Sequence, residues 1–206
     1  DVIESRGLGD VYKRQGDTRP KSVICSDGTE IKADAVIIGA GIIPNTELAG
    51  DAGIAINNGI LVDEYGQTNH ENIYACGDCT NHPNKLLNEN LRLESVHNAM
   101  EQSKTVASSI LNVPIEYSQV PWFWSDQYDH KLQIVGLSGN HDTVTMRGDM
   151  SESKFMLFYS KNQELLAVDS INNPKEFLIS RKLVEKKVKI DSEMIADPTT
   201  DLNKLI

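Results

Sequence analysis

Residues 59–79 read GILVDEYGQTNHENIYACGDC. Two short apolar runs, Gly59 to Asp63 and Ile73 to Cys76, flank a polar, turn-forming stretch, which predicts two strands joined by a loop. The second run stops at Gly77-Asp78. A carboxylate on a glycine turn at the C-terminal end of a strand sits where α/β sheets bind ligands, so Asp78 is the most informative residue of the stretch. Cys76-Gly77-Asp78-Cys79 also has CxxC spacing, which suits a redox dithiol or half a zinc site. Zinc would need a second ligand pair, and the chain has no further CxxC and no HxxxH. A dithiol normally opens a helix, whereas Cys76 reads as the last residue of a strand. Small residues packed around a turn are the preferred interpretation.

Upstream, Ser22–Cys25 and Glu30–Ile38 are β-rich with Asp27-Gly28 between them, predicting a hairpin or meander. Ala35-Val36-Ile37-Ile38 is a continuous apolar run, as expected of a strand buried on both faces. Gly39-Ala40-Gly41 then begins like a dinucleotide fingerprint, but the position that needs a third Gly or Ala holds Pro44. Pro44 disfavours the helical region for Ile43, and no other GxGxxG occurs, so a glycine-rich crossing between domains is expected instead.

Downstream, Arg92 to Leu111 carries Leu93, Val96, Met100, Ala107, Ile110 and Leu111 at three- and four-residue steps, with Pro114 just beyond, and predicts a helix. After Pro121 the pattern changes. Strand-like runs at Lys131–Val135, Thr143–Met146, Lys154–Tyr159 and Leu165–Ser170 alternate with turns, and Pro174 opens a helix over roughly Lys175–Lys187. This predicts a separate antiparallel sheet plus helix, with a boundary near Tyr117–Pro121.

The chain has 206 residues, 20 basic and 30 acidic, with a formal net charge of −10. That balance argues against nucleic acid or an anionic membrane as a partner. No apolar run approaches the length of a membrane span, and three cysteines fit a reducing cytoplasm better than a disulfide scaffold. Residues 1–15, DVIESRGLGDVYKRQ, lack an initiator Met and any sustained period. GLGDVYKRQ resembles translated sequencing-adapter sequence, so residues 1–15 are treated as non-native and set outside the fold, with the protein expected to extend upstream.

Four segments together carry a resemblance: AVIIGAGIIPNTELA (35–49), GILVDEYGQTNHENIYACGDC (59–79), RLESVHNAMEQ (92–102) and PWFWSDQYDHKLQIVG (121–136). In this order and spacing they resemble the FAD-dependent NAD(P)H reductases of the pyridine nucleotide–disulfide family. They look most like its ferredoxin-, rubredoxin- and putidaredoxin-type reductases, the branch that includes apoptosis-inducing factor. IYACGDC is similar to the family's second FAD signature. The family's two GxGxxG turns are absent, so the chain resembles the back half of such an enzyme.

The resemblance implies an α/β fold: the C-terminal part of a two-dinucleotide-domain flavoprotein reductase, followed by an α+β C-terminal domain. Residues 16–44 would end the NAD(P)H-binding domain, 45–115 would be the C-terminal segment of the FAD-binding domain, and 116–206 the reductase C-terminal domain. FAD is the implied cofactor and NAD(P)H the substrate of the full-length enzyme. Asp78, Gly77, Asn45, Ser95, Val96 and Trp124 are the implied cofactor-binding residues, with no catalytic side chain and no metal site assigned. Asp78 would accept a hydrogen bond from the ribityl or adjacent phosphate region. The helix start at Ser95-Val96 would face the flavin pyrimidine edge, where free N–H groups favour negative charge, and Glu94 would orient that turn. Trp124 would lie beside the isoalloxazine and nicotinamide rings, while Trp122 and Phe123 plug a domain boundary. Ser125-Asp126-Gln127-Tyr128 is expected to form a turn held by side-chain to backbone bonds.

Implied partners are a small iron–sulfur or rubredoxin-type electron carrier and, as a further option, a second copy of the chain, with a cytoplasmic location. Arg181, Lys182, Lys186, Lys187 and Lys189 form either a solvated basic face or a docking face for an acidic carrier. His97 is a minor candidate for proton transfer. The isolated chain is expected to be inactive and colourless. Two alternatives stay open: a non-catalytic dimerisation or partner-docking protein, and an apoptosis-inducing-factor-like oxidoreductase with another acceptor.

Overall fold

The tight turn at Asp27-Gly28 organises the start of the chain. Gly28 takes φ +85°, its N–H donates to the Cys25 carbonyl, and the Thr29 N–H donates to Asp27 Oδ1 at 2.8 Å. Val11–Gln15 (β1), Ser22–Cys25 (β2) and Glu30–Lys32 (β3) form a three-stranded antiparallel sheet in that order. The computed structural model describes residues 11–15, 19–39, 41–85 and 87–206. It divides into two units, Asp1–Ile43 and Pro44–Ile206.

Two features of the first unit differ from expectation. Val11–Gln15, set outside the fold on sequence grounds, pairs with β2 from Val11↔Cys25 to Gln15↔Ser22. An edge strand needs only a free row of backbone N–H and C=O groups beside it, which no side-chain period has to announce. Conversely, the expected buried strand at Ala35–Ile38 does not form. β3 ends at Lys32, and Ile37 and Ile38 are 98% and 52% exposed. A strand buried on both faces needs neighbours on both sides and cover above and below, and no described residue supplies them. Ala40 lies outside the described residues. A Cβ added at Gly39 or Gly41 would meet nothing within 4 Å among the described residues.

The second unit begins with the short helix Glu47–Asp51 (α1) and a small sheet of Ile60–Leu61 (β4), Thr80–Asn84 (β5) and Glu89–Leu91 (β6). β4 and β5 are parallel, Ile60↔Thr80, while β5 and β6 are antiparallel. The predicted strand at Ile73–Cys76 is replaced by irregular chain with one bridge, Gln67↔Tyr74. Its backbone groups are used locally: Thr68 N–H donates to the Ile73 carbonyl and Ala75 N–H to Gly66. Cys76 therefore does not end a strand; a new one starts after it. The predicted helix appears as Val96–Ile110 (α2), capped by Ser95 Oγ, which accepts from the Asn98 N–H at 3.1 Å.

Trp122–Gln127 (β7), His130–Gly136 (β8), Thr143–Asp149 (β9), Lys154–Lys161 (β10) and Glu164–Ile171 (β11) form a five-stranded antiparallel sheet ordered β7-β8-β11-β10-β9. The expected turn at Ser125–Tyr128 is mostly strand. The reversal is the two-residue Tyr128-Asp129 connection, fixed by the β7–β8 ladder down to Gln127↔His130 and not by side-chain to backbone bonds. Pro174–Glu185 (α3) and Ser192–Ala196 (α4) cover one face. Val135, Met156, Phe158, Leu165 and Val168 from the sheet meet Phe177, Leu183, Val184, Ile195 and Leu202 in one core. Several of these side chains are wholly buried, each stabilising by about 1.5–3 kcal/mol relative to exposure. Arg147, 3% exposed on β9, ties the C-terminal segment to this core. It is paired with Glu176 on α3 at 2.6 Å and donates to the carbonyls of Ile195, Asp197, Pro198 and Thr200. No described helix is long and apolar enough to cross a membrane.

Candidate functional site

The Gly77-Asp78 turn and the start of α2 lie together in the second unit. Gly77 is buried with φ +85°, a conformation glycine adopts without strain. Its N–H donates to Gln102 Oε1 at 2.7 Å, and a Cβ on it would reach the Ala99 side chain at 3.7 Å. The turn thus rests on the first two turns of α2. Asp78 is exposed, while its backbone carbonyl accepts from Arg92 Nη1 at 3.3 Å. Arg92 in turn is paired with Glu94 at 2.7 Å, so Glu94 acts on the Asp78 turn through Arg92.

The Ser95 cap satisfies the Asn98 N–H, leaving the amides of Val96 and His97 without a partner among the described residues. Val96 is 57% exposed. Two free N–H groups at the positive end of a 15-residue helix, and the exposed Asp78 on the turn packed against that helix, offer both donors and an acceptor to a ligand.

An aromatic cluster lies near this helix start. Trp122 and Trp124, two apart on β7, point to the same sheet face and stack at 5.1 Å between centroids with a 30° interplanar angle. Trp122 is half-buried against Phe177 at 6.4 Å and His97 at 5.5 Å, with the Arg181 guanidinium 4.8 Å from its ring centroid. It plugs the sheet against α2 and α3. Phe123, paired with Ile134, projects to the opposite face, so it does not share the plug expected of it together with Trp122. Trp124 stays 43% exposed and presents its ring outward. Trp122 Nε1 and His97 Nδ1 are buried with no hydrogen-bond partner among the described residues. Burial lowers the His97 pKa, with Glu101 opposing and Arg181 adding to the shift, so the imidazole is held neutral.

Of the six expected cofactor residues, Gly77, Asp78, Ser95 and Val96 gather around one helix end, and Trp124 belongs to the cluster packed beside it through His97 and Trp122. Asn45 lies exposed just before α1. Cys76 and Cys79 are free thiols, with Cys79 Sγ 3.6 Å from the Cys76 carbonyl. Burial, and then the neighbouring Cys79, push the Cys76 thiol up, away from the thiolate that dithiol chemistry uses. Among the described residues no group of three or more His, Cys, Asp or Glu side chains could hold a metal. A hollow of about 320 Å³ between Leu87, Leu137, Gly139 and Leu166 shares no residue with the site.

The residues missed from sequence are Asn98, Gln102 and Tyr117, all buried beneath the site. Their signal would have been three polar positions on the inward stripe of a helix and its exit.

Residues 7–103 match the family described as pyridine nucleotide-disulphide oxidoreductase, and residues 122–206 the one described as reductase C-terminal. With both domains in this order, the chain belongs to the pyridine nucleotide–disulphide oxidoreductases, in the ferredoxin-reductase group. Putidaredoxin reductase CamA of Pseudomonas putida is 38% identical over 185 residues, covering 90% of this chain and 44% of that protein. Rhodocoxin reductase of Rhodococcus erythropolis is 40% identical over 190 residues, 92% of this chain and 44% of that protein. Among solved structures, a ferredoxin reductase for the CYP199A2 system of Rhodopseudomonas palustris aligns with TM-score 0.88 at 37% identity, covering 94% of this chain and 48% of that one. The covalent putidaredoxin reductase–putidaredoxin complex aligns with TM-score 0.87 at 37% identity, covering 95% and 48%. The chain spans about half the length of the curated relatives it matches.

Proposed function

We propose that this chain is the flavin-facing and C-terminal part of an FAD-dependent NAD(P)H reductase that passes electrons to a ferredoxin- or rubredoxin-type carrier. One observation carries this: an exposed carboxylate on a buried glycine turn, fixed against the first turns of a helix whose N-terminal amides are free. The donor set fits the cofactor. Asp78 would accept from a hydroxyl of the ribityl region as a charged acceptor. The Val96 and His97 amides would donate to the electron-rich edge of the ring system, and Trp124 would lie beside the ring and exclude water.

When bound, FAD would supply hydride acceptance and one-electron transfer, while the protein supplies position and electrostatics. The Arg181 guanidinium over Trp122 adds positive potential near the helix start, and the neutral His97 places no mobile proton there. The ferredoxin-type partner is supported by the names of the relatives, several of them ferredoxin or redoxin reductases. Lys182, Lys186, Lys187 and Lys189 are exposed on and after α3 and would steer an acidic carrier by charge.

The test is carrier reduction. The full-length protein, with NADH or NADPH, should reduce a small iron–sulfur ferredoxin with a rate that falls as salt rises. Flavin-dependent NAD(P)H oxidation with no reduction of any ferredoxin or rubredoxin would favour the reading with another acceptor.

A further inference from the structure

Beneath the candidate flavin edge lies a buried polar network that none of the expected site residues accounts for. Gln102 is 3% exposed, and its Oε1 accepts from three groups: Gly77 N–H at 2.7 Å, Thr80 Oγ1 at 2.9 Å and Asn98 Nδ2 at 3.3 Å. Asn98, 1% exposed, donates from the same Nδ2 to the Leu93 carbonyl at 3.2 Å, and its Oδ1 accepts from Tyr117 Oη at 2.8 Å. Tyr117 is 4% exposed, and burial pushes its pKa up to about 12, so its hydroxyl keeps the proton it donates.

These bonds join separate parts of the site. Gly77 belongs to the Asp78 turn. Leu93 leads into the Ser95 cap, and Asn98 makes the capping bond with its own N–H. Arg92 holds the Asp78 carbonyl from the other side. The Asp78 turn and the start of α2 are therefore tied together from two sides, by Gln102 Oε1 beneath and by Arg92. Buried donors that lose their acceptor are costly, so loss of Gln102 Oε1 falls on the Gly77 N–H and Asn98 Nδ2, while the Thr80 hydroxyl has a second acceptor in the Gly77 carbonyl at 2.8 Å.

We propose that Gln102 is a positioning residue for the flavin site, holding the Asp78 turn in register with the N-terminus of α2, with Asn98 and Tyr117 as its supports. This rests on the flavin reading above. It makes a prediction that simple packing does not. Gln102→Glu keeps an acceptor for all three donors, whereas Gln102→Met fills similar volume with no acceptor. If Gln102 only packs, Met is the milder change and a buried carboxylate the harsher one. If it positions, the order reverses.

The experiment compares FAD dissociation constants and the visible circular dichroism of bound flavin for the full-length protein and both variants. Gln102→Met should weaken FAD at least about tenfold and alter the flavin spectrum, while Gln102→Glu stays within about threefold with the wild-type spectrum. Tyr117→Phe removes one hydroxyl at the far end of the network and should weaken FAD by about twofold to tenfold, which keeps the test alive if Gln102→Met does not fold. Wild-type affinity in Gln102→Met or in Tyr117→Phe, or weaker binding in Gln102→Glu than in Gln102→Met, overturns the inference. A wild-type protein that holds no flavin overturns the underlying flavin reading instead.

Discussion

Acid should destabilise this protein through His82, and the size of the effect follows from its surroundings. His82 lies on β5, 1% exposed, with its ring edge-on to Tyr117 at 5.0 Å, and neither ring nitrogen has a hydrogen-bond partner among the described residues. Burial lowers its pKa to about 4 from an ordinary 6.5. Between those values the unfolded chain binds a proton that the folded chain refuses, so stability is full above pH 6.5 and falls as pH drops toward 4. The whole span is worth about 3 kcal/mol, of which about 2 kcal/mol is lost between pH 7.5 and pH 5. His97 shifts in the same direction from burial, so the wild type's total loss includes both groups. Comparing His82→Leu with wild type isolates the His82 share. Urea denaturation at the two pH values should show the variant losing about 2 kcal/mol less than wild type on acidification. Equal acid losses in the two proteins would refute the buried neutral imidazole.

Two further outcomes follow from the C-terminal domain. Arg147→Met leaves Glu176 without its guanidinium and four carbonyls of the C-terminal segment without their donor, and should cost about 3–5 kcal/mol in urea denaturation. A loss under about 1 kcal/mol would show that the clasp carries little. Burial pushes the Glu176 carboxyl up, but the Arg147 hydrogen bonds and charge outweigh it, leaving the pKa lowered, so this pair should also weaken as acid protonates Glu176. Trp124→Ala removes a ring that is 43% exposed, so stability should change by less than about 1 kcal/mol. Carrier reduction by the full-length protein should nonetheless slow about tenfold with FAD still bound, and unchanged turnover would remove Trp124 from the site.

The sequence makes some of this plain and hides the rest for identifiable reasons. The sheet of the C-terminal domain is legible because β-rich runs alternate with turn residues, and α2 because apolar residues recur at three- and four-residue steps with Pro114 just beyond its end. β5 is not legible. Thr80-Asn81-His82-Pro83-Asn84 contains no β-rich apolar residue and one proline, yet four of the five are buried. It is held by distant partners, Thr80 by Gln102 and Asn81 by the Asn57 carbonyl, which no local pattern reveals. Gln102 and Asn98 are hidden in the same way, since polar residues on a helix ordinarily face water. Ala35–Ile38 shows the opposite failure: an apolar run predicts burial, but burial requires neighbours that the described residues do not provide. The Gly77-Asp78 turn is legible from its glycine, although the strand expected before it lies after it.

The flavin content of the full-length protein, with and without the Asp78 carboxylate, tests the central claim most directly. The wild type should purify with stoichiometric FAD whose visible absorption NAD(P)H bleaches, and Asp78→Ala should weaken FAD binding about tenfold or more without unfolding the protein. A wild type that takes up no FAD, or an Asp78→Ala variant that binds it as tightly as wild type, would contradict the account.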